Sequence, residues 1–550
     1  MARRRLDPGW LAFGVALLVR AVVVLLSAER FPAAADGAFY QVVAERIAQG
    51  DGYTWLWPDG AVTYAAHYPI GYPALLGAVY AVFGAAPWVA MTVAALLGAL
   101  SALAASRLVG SLGRRAALAA GLGVALHPSL VLYTPALMTE GVVGSGVLLL
   151  GWLTLARGRA GRWGWLLAGL GLGVLCLFRP QVILLAPALA WLATPARRAG
   201  GGAPARAIST EKLTDEPSHA YQTEKLTDPS RALRTEPRIS DPRGDNSTVE
   251  LTESVARARL GGSLRWLARA AAITLVALLV TSPWTARNCA KMDRCVWVSA
   301  NGGWNLLIGT GPGATGAWVP VEEVGFPDEC REVWGEAEKD ACFSRAGRRY
   351  LQRDFLRWLA LIPKKLSYTF DYGDASGWYL SQSNPEAFGE RARTVAFVAE
   401  LVGLRLTALV LFVGLVRLAL RQAQGRRARS LVMGLIVLGA PWLLLEWLWP
   451  TYLVVLVLAL WLRPRHPALV LGLWTLATTA LVHAVFFGAS RYALVAAPAL
   501  VASAVAAWVL TGRREEGDTR GNQGAAPGGE ADAADYDRGS RPSPGASHRQ

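Results

Sequence analysis

Four charged residues stand out in this sequence because each lies at the end of an apolar stretch. They are two acids, Asp36 and Glu140, and two arginines, Arg179 and Arg491. Asp36 follows the first apolar stretch, and Glu140 opens a later one. Ionisable groups are costly within a helical bundle in a membrane, and they usually serve a function there. We therefore expect acid–base chemistry from the acids, with Asp36 able to act as a general base.

Each of these residues also has an ordinary structural interpretation. Asp36 could cap the N-terminus of the helix that follows it, and Glu140 could interact with the dipole of its own helix. Arg179, which precedes a proline, could be a turn residue that reaches the membrane surface, or it could bind an anion. Arg491 poses the same choice.

These residues need a scaffold, and the composition predicts a membrane-spanning one. Of 550 residues, 53% are apolar and only 17% are charged, whereas soluble domains are about 25% charged. The apolar residues are gathered in blocks such as 10–27, 89–106 and 264–282, which are long enough to cross a bilayer as helices. The sequence therefore predicts an all-α polytopic membrane protein and excludes a soluble enzyme, a disulfide scaffold or a disordered chain.

The excess of 55 basic over 40 acidic residues indicates orientation in the membrane rather than a nucleic-acid partner. Lys and Arg are enriched in short cytoplasmic loops, and arginines precede the first span and follow later ones. This pattern predicts about twelve spans with both termini cytoplasmic. A cleaved secretory signal is the alternative for the N-terminus, but the first apolar run is longer than a typical signal core. The predicted spans lie at about 10–28, 87–109, 116–133, 140–156, twice within 163–195, 264–282, 395–416, twice within 431–462, 467–487 and 493–510.

The spans divide the chain into two membrane modules. The N-terminal module, 1–195, contains a first outer loop, 29–86, and the C-terminal module, 263–511, contains an outer region, 283–393. Two further segments are too polar to bury a core, and we expect them to be disordered in the cytoplasm. They are an insert, 196–262, for which a partner-binding role is the alternative, and a tail, 512–550.

Two short segments of the first outer loop are predicted to lie on the membrane surface. Residues 38–49 place their apolar side chains on one helical face. Residues 72–83 are apolar but too few to cross a bilayer easily.

Four of the five cysteines lie in the outer region, and this even number suggests disulfides. By proximity we expect the pairs Cys289–Cys295 and Cys330–Cys342. Four cysteines allow three pairings, and four free thiols are the alternative. The fifth, Cys176, lies in a predicted span.

No Walker A, HExxH or CxxC motif occurs in the sequence, and no GxGxxG motif follows a predicted strand. This counts against an ATP-driven pump and leaves the isolated polar groups near the outer face as the candidates for chemistry.

The order of several short motifs resembles one enzyme family. The chain resembles the bacterial family 39-like glycosyltransferases, relatives of protein O-mannosyltransferases and lipid A aminoarabinose transferases, within the GT-C superfamily. The resemblance runs from about residue 10 to 510 outside the insert. Its motifs are Ala35-Asp36-Gly37-Ala38-Phe39-Tyr40, residues 48–53, residues 68–76, Pro283-Trp284-Thr285-Ala286-Arg287-Asn288, Asn301-Gly302-Gly303-Trp304-Asn305-Leu306 and Ser490-Arg491-Tyr492-Ala493-Leu494.

The resemblance implies a GT-C-type bundle in the bacterial inner membrane. Such enzymes transfer a sugar from a polyprenyl-phosphate carrier to a lipid, glycan or protein acceptor at the periplasmic face, usually with inversion. The resemblance assigns the key acid to Asp36 and supports Glu140 as a second catalytic residue. The family often has another acid directly after the first, whereas this chain has Gly37. A divalent metal bound through an acidic pair is therefore left open, and no other cofactor is implied.

The expected substrate-binding residues follow from the charge of a lipid phosphate. Arg179 and Arg491 are the first candidates for binding it, because the guanidinium group suits phosphate geometry. Arg287 is a weaker candidate, and a solvated face is the preferred interpretation of Lys364-Lys365. The other expected substrate-binding residues are His67, Tyr68, Asn288, Asn305 and Tyr492. The alternatives to an enzyme are a secondary transporter or flippase of lipid-linked sugars, and an inactive membrane scaffold. A transporter would favour repeated halves, and the sequence shows no convincing inverted repeat.

Overall fold

A computed structural model describes residues 6–160, 163–194 and 246–522. In these residues the chain forms α-helices and one small hairpin, which confirms the predicted all-α fold class. The helices up to residue 194 are α1 (Pro8–Ser27), α2 (Asp36–Gln49), α3 (Gly71–Phe83), α4 (Pro87–Val109), α5 (Arg114–Leu126), α6 (Pro128–Leu132), α7 (Thr139–Ala160), α8 (Gly164–Cys176) and α9 (Ala186–Leu192).

The chain is also mainly helical from residue 246 onwards. The helices there are α10 (Asn246–Lys291), α11 (Gly302–Thr310), α12 (Val321–Gly325), α13 (Glu336–Arg353), α14 (Phe355–Phe370), α15 (Ala375–Ser383), α16 (Glu390–Gln422), α17 (Gly425–Gly439), α18 (Trp449–Leu462), α19 (Pro467–Val485) and α20 (Ala497–Asn522). The hairpin, β1 (Thr54–Leu56) and β2 (Val62–Tyr64), is antiparallel and lies between α2 and α3.

Six helices in the described part of the chain are long and apolar enough to cross a membrane. These candidate spans correspond to α1, α4 with the turn that follows it, most of α7, residues 261–291 of α10, α16 and α19. Five further apolar stretches form shorter helices, so the predicted number of about twelve spans is not confirmed.

One predicted span, 116–133, shows why apolar stretches become short helices. It is divided into α5 and α6 at His127, because the following Pro128 has no N–H to continue the helix. Arg20 of α1 donates hydrogen bonds to the freed carbonyl oxygens of Val124 and Ala125 at 3.3 and 2.9 Å. This buried arginine thereby ties α1 to the end of α5.

Glycines at several helix contacts let the helices of the bundle pack closely. Helix α1 packs on α4 and α5, α10 packs on α8, and α16 packs on α20. A β-carbon at Gly121 would lie 2.5 Å from Ala12, and one at Gly169 would lie 2.6 Å from Val276. Because these glycines have no β-carbon, the helix backbones can approach closely, as is common between membrane helices.

The described residues cover only part of the predicted insert and tail. Helix α10 begins at Asn246, so residues 246–262, which were assigned to the insert, are helical. Helix α20 likewise extends to Asn522. Residues 196–245 and 523–550 lie outside the described residues.

Disulfides join Cys289 of α10 to Cys295 and Cys330 to Cys342 of α13, which are the two predicted pairs. The two segments expected on the membrane surface are the helices α2 and α3, and their place at the surface stays a prediction.

Candidate active site

Asp36 is the first residue of α2, and its side chain makes no cap of that helix. One carboxylate oxygen instead accepts a hydrogen bond from the Tyr68 hydroxyl at 2.9 Å. The other accepts from Nη1 of Arg491, also at 2.9 Å. Asp36 therefore does not cap the helix, and it forms an ion pair with Arg491, which lies 455 positions later in the sequence.

Glu140 lies in the first turn of α7, where its side chain is only 1% exposed. Its Oε1 accepts a hydrogen bond from Arg179 and lies 3.5 Å from Nε of Arg491. Its Oε2 accepts from the Tyr133 hydroxyl at 3.1 Å. Arg179 also donates to Thr139 at 2.9 Å. Two acids and two arginines, from four separate segments, thus form one charge cluster.

The cluster keeps Asp36 ionised. Burial raises the pKa of Asp36, but the positive charge of Arg491 and the hydrogen bonds from Tyr68 and Arg491 outweigh it, and the pKa lies below its ordinary value. Two negative and two positive groups also leave the cluster without net charge.

Tyr492 separates the two arginines from a buried histidine. Its ring lies 4.1 Å from His483 in a stacked arrangement. The guanidinium carbons of Arg179 and Arg491 lie 5.1 and 5.3 Å from the Tyr492 ring centroid. These cation–π distances hold both arginines against one aromatic ring.

The charge cluster lies at the wall of a cavity of about 830 Å³. Of the expected site residues, seven line this cavity, and they are Asp36, His67, Tyr68, Arg179, Asn305, Arg491 and Tyr492. Other parts of the wall are aromatic, from Trp297, Trp304 and Trp318, or apolar, from Ile183, Leu184, Val482 and Phe486. Such a cavity offers polar, aromatic and apolar surfaces to one ligand.

His67 is held in its neutral form beside Asp36. Burial lowers the pKa of His67 to about 4, although the negative charge of Asp36 opposes this effect. Its Nε2 lies 3.2 Å from Nδ2 of Asn301, a donor, so Nε2 accepts. Glu336 accepts hydrogen bonds from the backbone N–H groups of Ala66 and His67, which fixes this loop.

Arg287 and Asn288 do not join the cavity. Arg287 donates to the carbonyl oxygens of Ala65 and Tyr53 at 2.8 and 2.9 Å. Asn288 is fully buried, and its amide donates to the carbonyl of Val296 at 3.4 Å. Both residues hold backbone in place.

The expectation of a solvated face is correct for Lys364 and wrong for Lys365. Lys364 is exposed, whereas Lys365 is fully buried and donates to the carbonyl oxygen of Val485 at 3.1 Å. Burial lowers the pKa of Lys365 to about 7. Its side chain crosses to α19 because the helix α14 packs that face against the bundle.

Several residues of the site have no local signature in the sequence. Tyr133 lies seven positions before Glu140, outside any motif, and the cavity residues Trp297 and Trp318 are two among 22 tryptophans. Thr139 is the exception, because it directly precedes Glu140 and could have been named from that position.

The acids do not fit a metal bound through an acidic pair. No cluster of three or more His, Cys, Asp or Glu suitable for a metal occurs in the described part of the chain. The oxygens of Asp36 and Glu140 are engaged by Tyr68, Arg491, Arg179 and Tyr133. At Gly37, a β-carbon would lie 2.7 Å from the Tyr379 hydroxyl oxygen, so a second acid has no room there.

Residues 67–200 match the sequence profile of a family described as dolichyl-phosphate-mannose-protein mannosyltransferase. The matched segment contains His67, Glu140 and Arg179. Over this segment it confirms the family resemblance drawn from the sequence. No curated protein matches this chain in sequence.

Two solved structures are similar to the chain over most of its length. One is the apo oligosaccharyltransferase of Archaeoglobus fulgidus, with 12% identity, a TM-score of 0.40, and coverage of 95% of this chain and 53% of that one. The other is ArnT from Cupriavidus metallidurans bound to undecaprenyl phosphate, with 16% identity, a TM-score of 0.33, and coverage of 94% and 80%. The chain thus spans about half the length of the archaeal protein.

Proposed function

We propose that this chain, a membrane glycosyltransferase similar to the dolichyl-phosphate-mannose-protein mannosyltransferase family, moves a sugar from a polyprenyl phosphate to an acceptor hydroxyl. Transfer takes place with inversion at the periplasmic face of the bacterial inner membrane, with both termini cytoplasmic. One observation carries the proposal: a cluster of two carboxylates and two guanidiniums at the wall of a large cavity.

Arg179 and Arg491 bind the phosphate of the donor. Both side chains line the cavity and are partly accessible, at 13% and 18%. A guanidinium group presents five donors, so each arginine can keep its carboxylate partner and still donate to phosphate oxygens. The name of the matched family, which includes a dolichyl phosphate, is consistent with this kind of donor.

The cavity walls suit the rest of a polyprenyl-linked sugar. The apolar side chains of Ile183, Leu184 and Val482 offer contacts to the lipid chain. Trp304 and Trp318 offer flat aromatic faces to the sugar. Asn305 and His67 supply polar atoms that can orient its hydroxyl groups.

Asp36 is the general base. The acceptor oxygen forms a bond to the anomeric carbon from the side opposite the phosphate, and Asp36 takes the hydroxyl proton. The bond between the anomeric carbon and the phosphate oxygen breaks, and the electron pair stays on the phosphate. Arg179 and Arg491 stabilise the charge that develops there.

Donor binding makes Asp36 a stronger base. In the free site, the positive charge of Arg491 holds the pKa of Asp36 low. A phosphate beside Arg491 offsets that charge, and the pKa of Asp36 then rises towards the range in which a carboxylate accepts a proton. The base is thus activated only when the donor is present.

Glu140 has a supporting role in this mechanism. It does not line the cavity, and its oxygens are engaged by Arg179, Arg491 and Tyr133. Glu140 is therefore a positioning residue for the two guanidinium groups, and Asp36 is the catalytic residue.

Sugar transfer by the purified protein tests the proposal. The protein is reconstituted in vesicles with a panel of polyprenyl-phosphate sugars and envelope acceptors, and the anomeric configuration of the product is determined by NMR. We expect transfer with inversion. Movement of the lipid-linked sugar across the vesicle membrane without transfer would instead support the transporter alternative.

A further inference from the structure

Helix α15 contacts the two segments that directly precede the acids of the charge cluster. The hydroxyl oxygen of Tyr379, in the middle of this helix, accepts a hydrogen bond from the backbone N–H of Ala34 at 3.3 Å. It also accepts one from the backbone N–H of Leu137 at 3.2 Å. Ala34 lies two residues before Asp36, and Leu137 lies three residues before Glu140. One phenol oxygen therefore joins the two segments.

The same helix holds the chain before Asp36 at two more points. Ser383 donates to the carbonyl oxygen of Pro32, and Asn384 donates to that of Arg30 at 2.9 Å. Next to these contacts, Phe388 packs edge-on against Phe31, with ring centroids 6.0 Å apart. Residues 30–34 are thus fastened to α15 and to the residues that follow it.

Helix α15 is itself fixed at its N-terminus. The backbone N–H of Ser376 donates to Glu400 of α16 at 3.2 Å, and Asp374 pairs with Arg393. Because α16 is a long apolar helix of the bundle, the position of Tyr379 is set by the membrane part of the fold.

The backbone is strained between Ala34, which donates to Tyr379, and Asp36. Ala35 has a φ of +50°, a conformation that residues with a β-carbon rarely adopt. Such a conformation persists only where the surrounding contacts hold it, and it is found preferentially at functional sites. The contacts of α15 on the preceding residues supply that restraint.

Gly37 completes the arrangement on the other side of Asp36. A β-carbon there would lie 2.7 Å from the Tyr379 oxygen and 2.9 Å from the carbonyl oxygen of Leu137. The tyrosine hydroxyl therefore occupies the space that a side chain at position 37 would need.

We infer that Tyr379 is a positioning residue that clamps the Asp36 segment to the Glu140 segment and so sets the base against the phosphate-binding arginines. The inference rests on the proposed function for its effect on catalysis. The clamp itself is a matter of hydrogen bonds and can be measured without any substrate.

Tyr379→Phe removes the hydroxyl and keeps the ring, and Tyr72→Phe is the matched control. Tyr72 is equally buried, and its hydroxyl has no hydrogen-bond partner among the described residues. In amide hydrogen exchange followed by mass spectrometry, we expect Tyr379→Phe to speed exchange in peptides covering Ala34 and Leu137 by tenfold or more. Tyr72→Phe should leave both peptides unchanged. Unchanged exchange in Tyr379→Phe would overturn the clamp.

Kinetics separate positioning from general structural support. Tyr379→Phe should lower kcat about tenfold or more, while the Kd for polyprenyl phosphate alone stays within twofold. In an Asp36→Asn background, Tyr379→Phe should cost little further activity, because it acts through Asp36. An equal loss in that background, or a kcat equal to that of the wild type, would overturn the positioning role.

Gly37→Ala gives an independent second variant. Its methyl group must displace the Tyr379 oxygen, so we expect the same faster exchange at Ala34 and Leu137. Protected amides in this variant would count against the clamp. Absence of transfer by the wild-type protein would overturn the proposed function instead, while the exchange data would still decide on the clamp.

Discussion

Arg179 and Arg491 differ from Arg287 in what their guanidinium groups contact. All three pack over aromatic rings, Arg179 and Arg491 over Tyr492 and Arg287 over Trp284. Only the first two pair with carboxylates and line the cavity. Arg287 donates instead to the backbone carbonyl oxygens of Ala65 and Tyr53, outside the cavity. From this comparison we expect a guanidinium near the candidate site to bind ligand only if it faces the cavity and keeps donors free of the backbone.

The difference follows from where each arginine lies in its segment. Arg287 is in the last turns of α10, beside the loop that contains β1 and β2, and that loop offers it carbonyl oxygens. Arg179 and Arg491 lie in breaks between apolar helices: Arg179 directly precedes the 3₁₀ helix Pro180–Leu185, and Arg491 lies within the 3₁₀ helix Ser490–Val495. A break places a side chain between helices, where a cavity can form.

The largest expected effect comes from the base itself. Asp36→Asn keeps the shape of the side chain but cannot take the acceptor proton, so we expect kcat to fall by about 10²–10⁴-fold. The Kd for polyprenyl phosphate should change less than threefold, since both arginines remain. Asp59→Asn, in the turn of the exposed hairpin, is the control and should retain full turnover. Full turnover by Asp36→Asn would show that another group is the base.

The arginine comparison is tested most directly by lysine substitutions. Arg179→Lys and Arg491→Lys keep the charge but lose the forked geometry, so each should weaken donor binding about 10- to 100-fold. Arg287→Lys should leave donor binding unchanged. Binding of a fluorescent polyprenyl phosphate to the purified protein measures all three, and equal losses at the three positions would remove the distinction.

Loss of Arg287 should reduce stability rather than activity. Arg287→Met leaves the carbonyl oxygens of Ala65 and Tyr53 without their donor, which costs about 1–3 kcal/mol. We expect a lower Tm in a thermal unfolding measurement and an unchanged rate per folded molecule. A normal Tm with a reduced rate would mean that Arg287 acts on the substrate after all.

The smallest effect concerns pH and His67. Its folded pKa of about 4 lies below the unfolded value of 6.5, so the unfolded chain takes up a proton first as the pH falls. The contribution of neutral His67 to the free energy of unfolding is fully present above pH 6.5 and is lost as the pH falls from 6.5 to 4. At pH 5.5 the loss is on the order of 1 kcal/mol. His67→Gln should therefore reduce the difference in Tm between pH 7.5 and pH 5.5, and an unchanged difference would contradict the neutral histidine.

The sequence could predict the features that depend on local composition. Apolar blocks predicted the membrane helices, and helical spacing predicted the helix that became α2. Cysteine proximity predicted both disulfide pairs. The chain break at Pro128 made the number of spans harder to predict, since an apolar stretch of sufficient length can still form two short helices.

Only the tertiary structure could decide which candidate residues meet. Asp36 and Arg491 are 455 positions apart, and Tyr379 reaches Ala34 across 345 positions, so no local spacing reports either contact. Arg179, Arg287 and Arg491 look alike in sequence because charge and residue type are local properties. Whether a guanidinium faces a cavity or a backbone carbonyl depends on how the helices pack, and that is a property of the whole bundle.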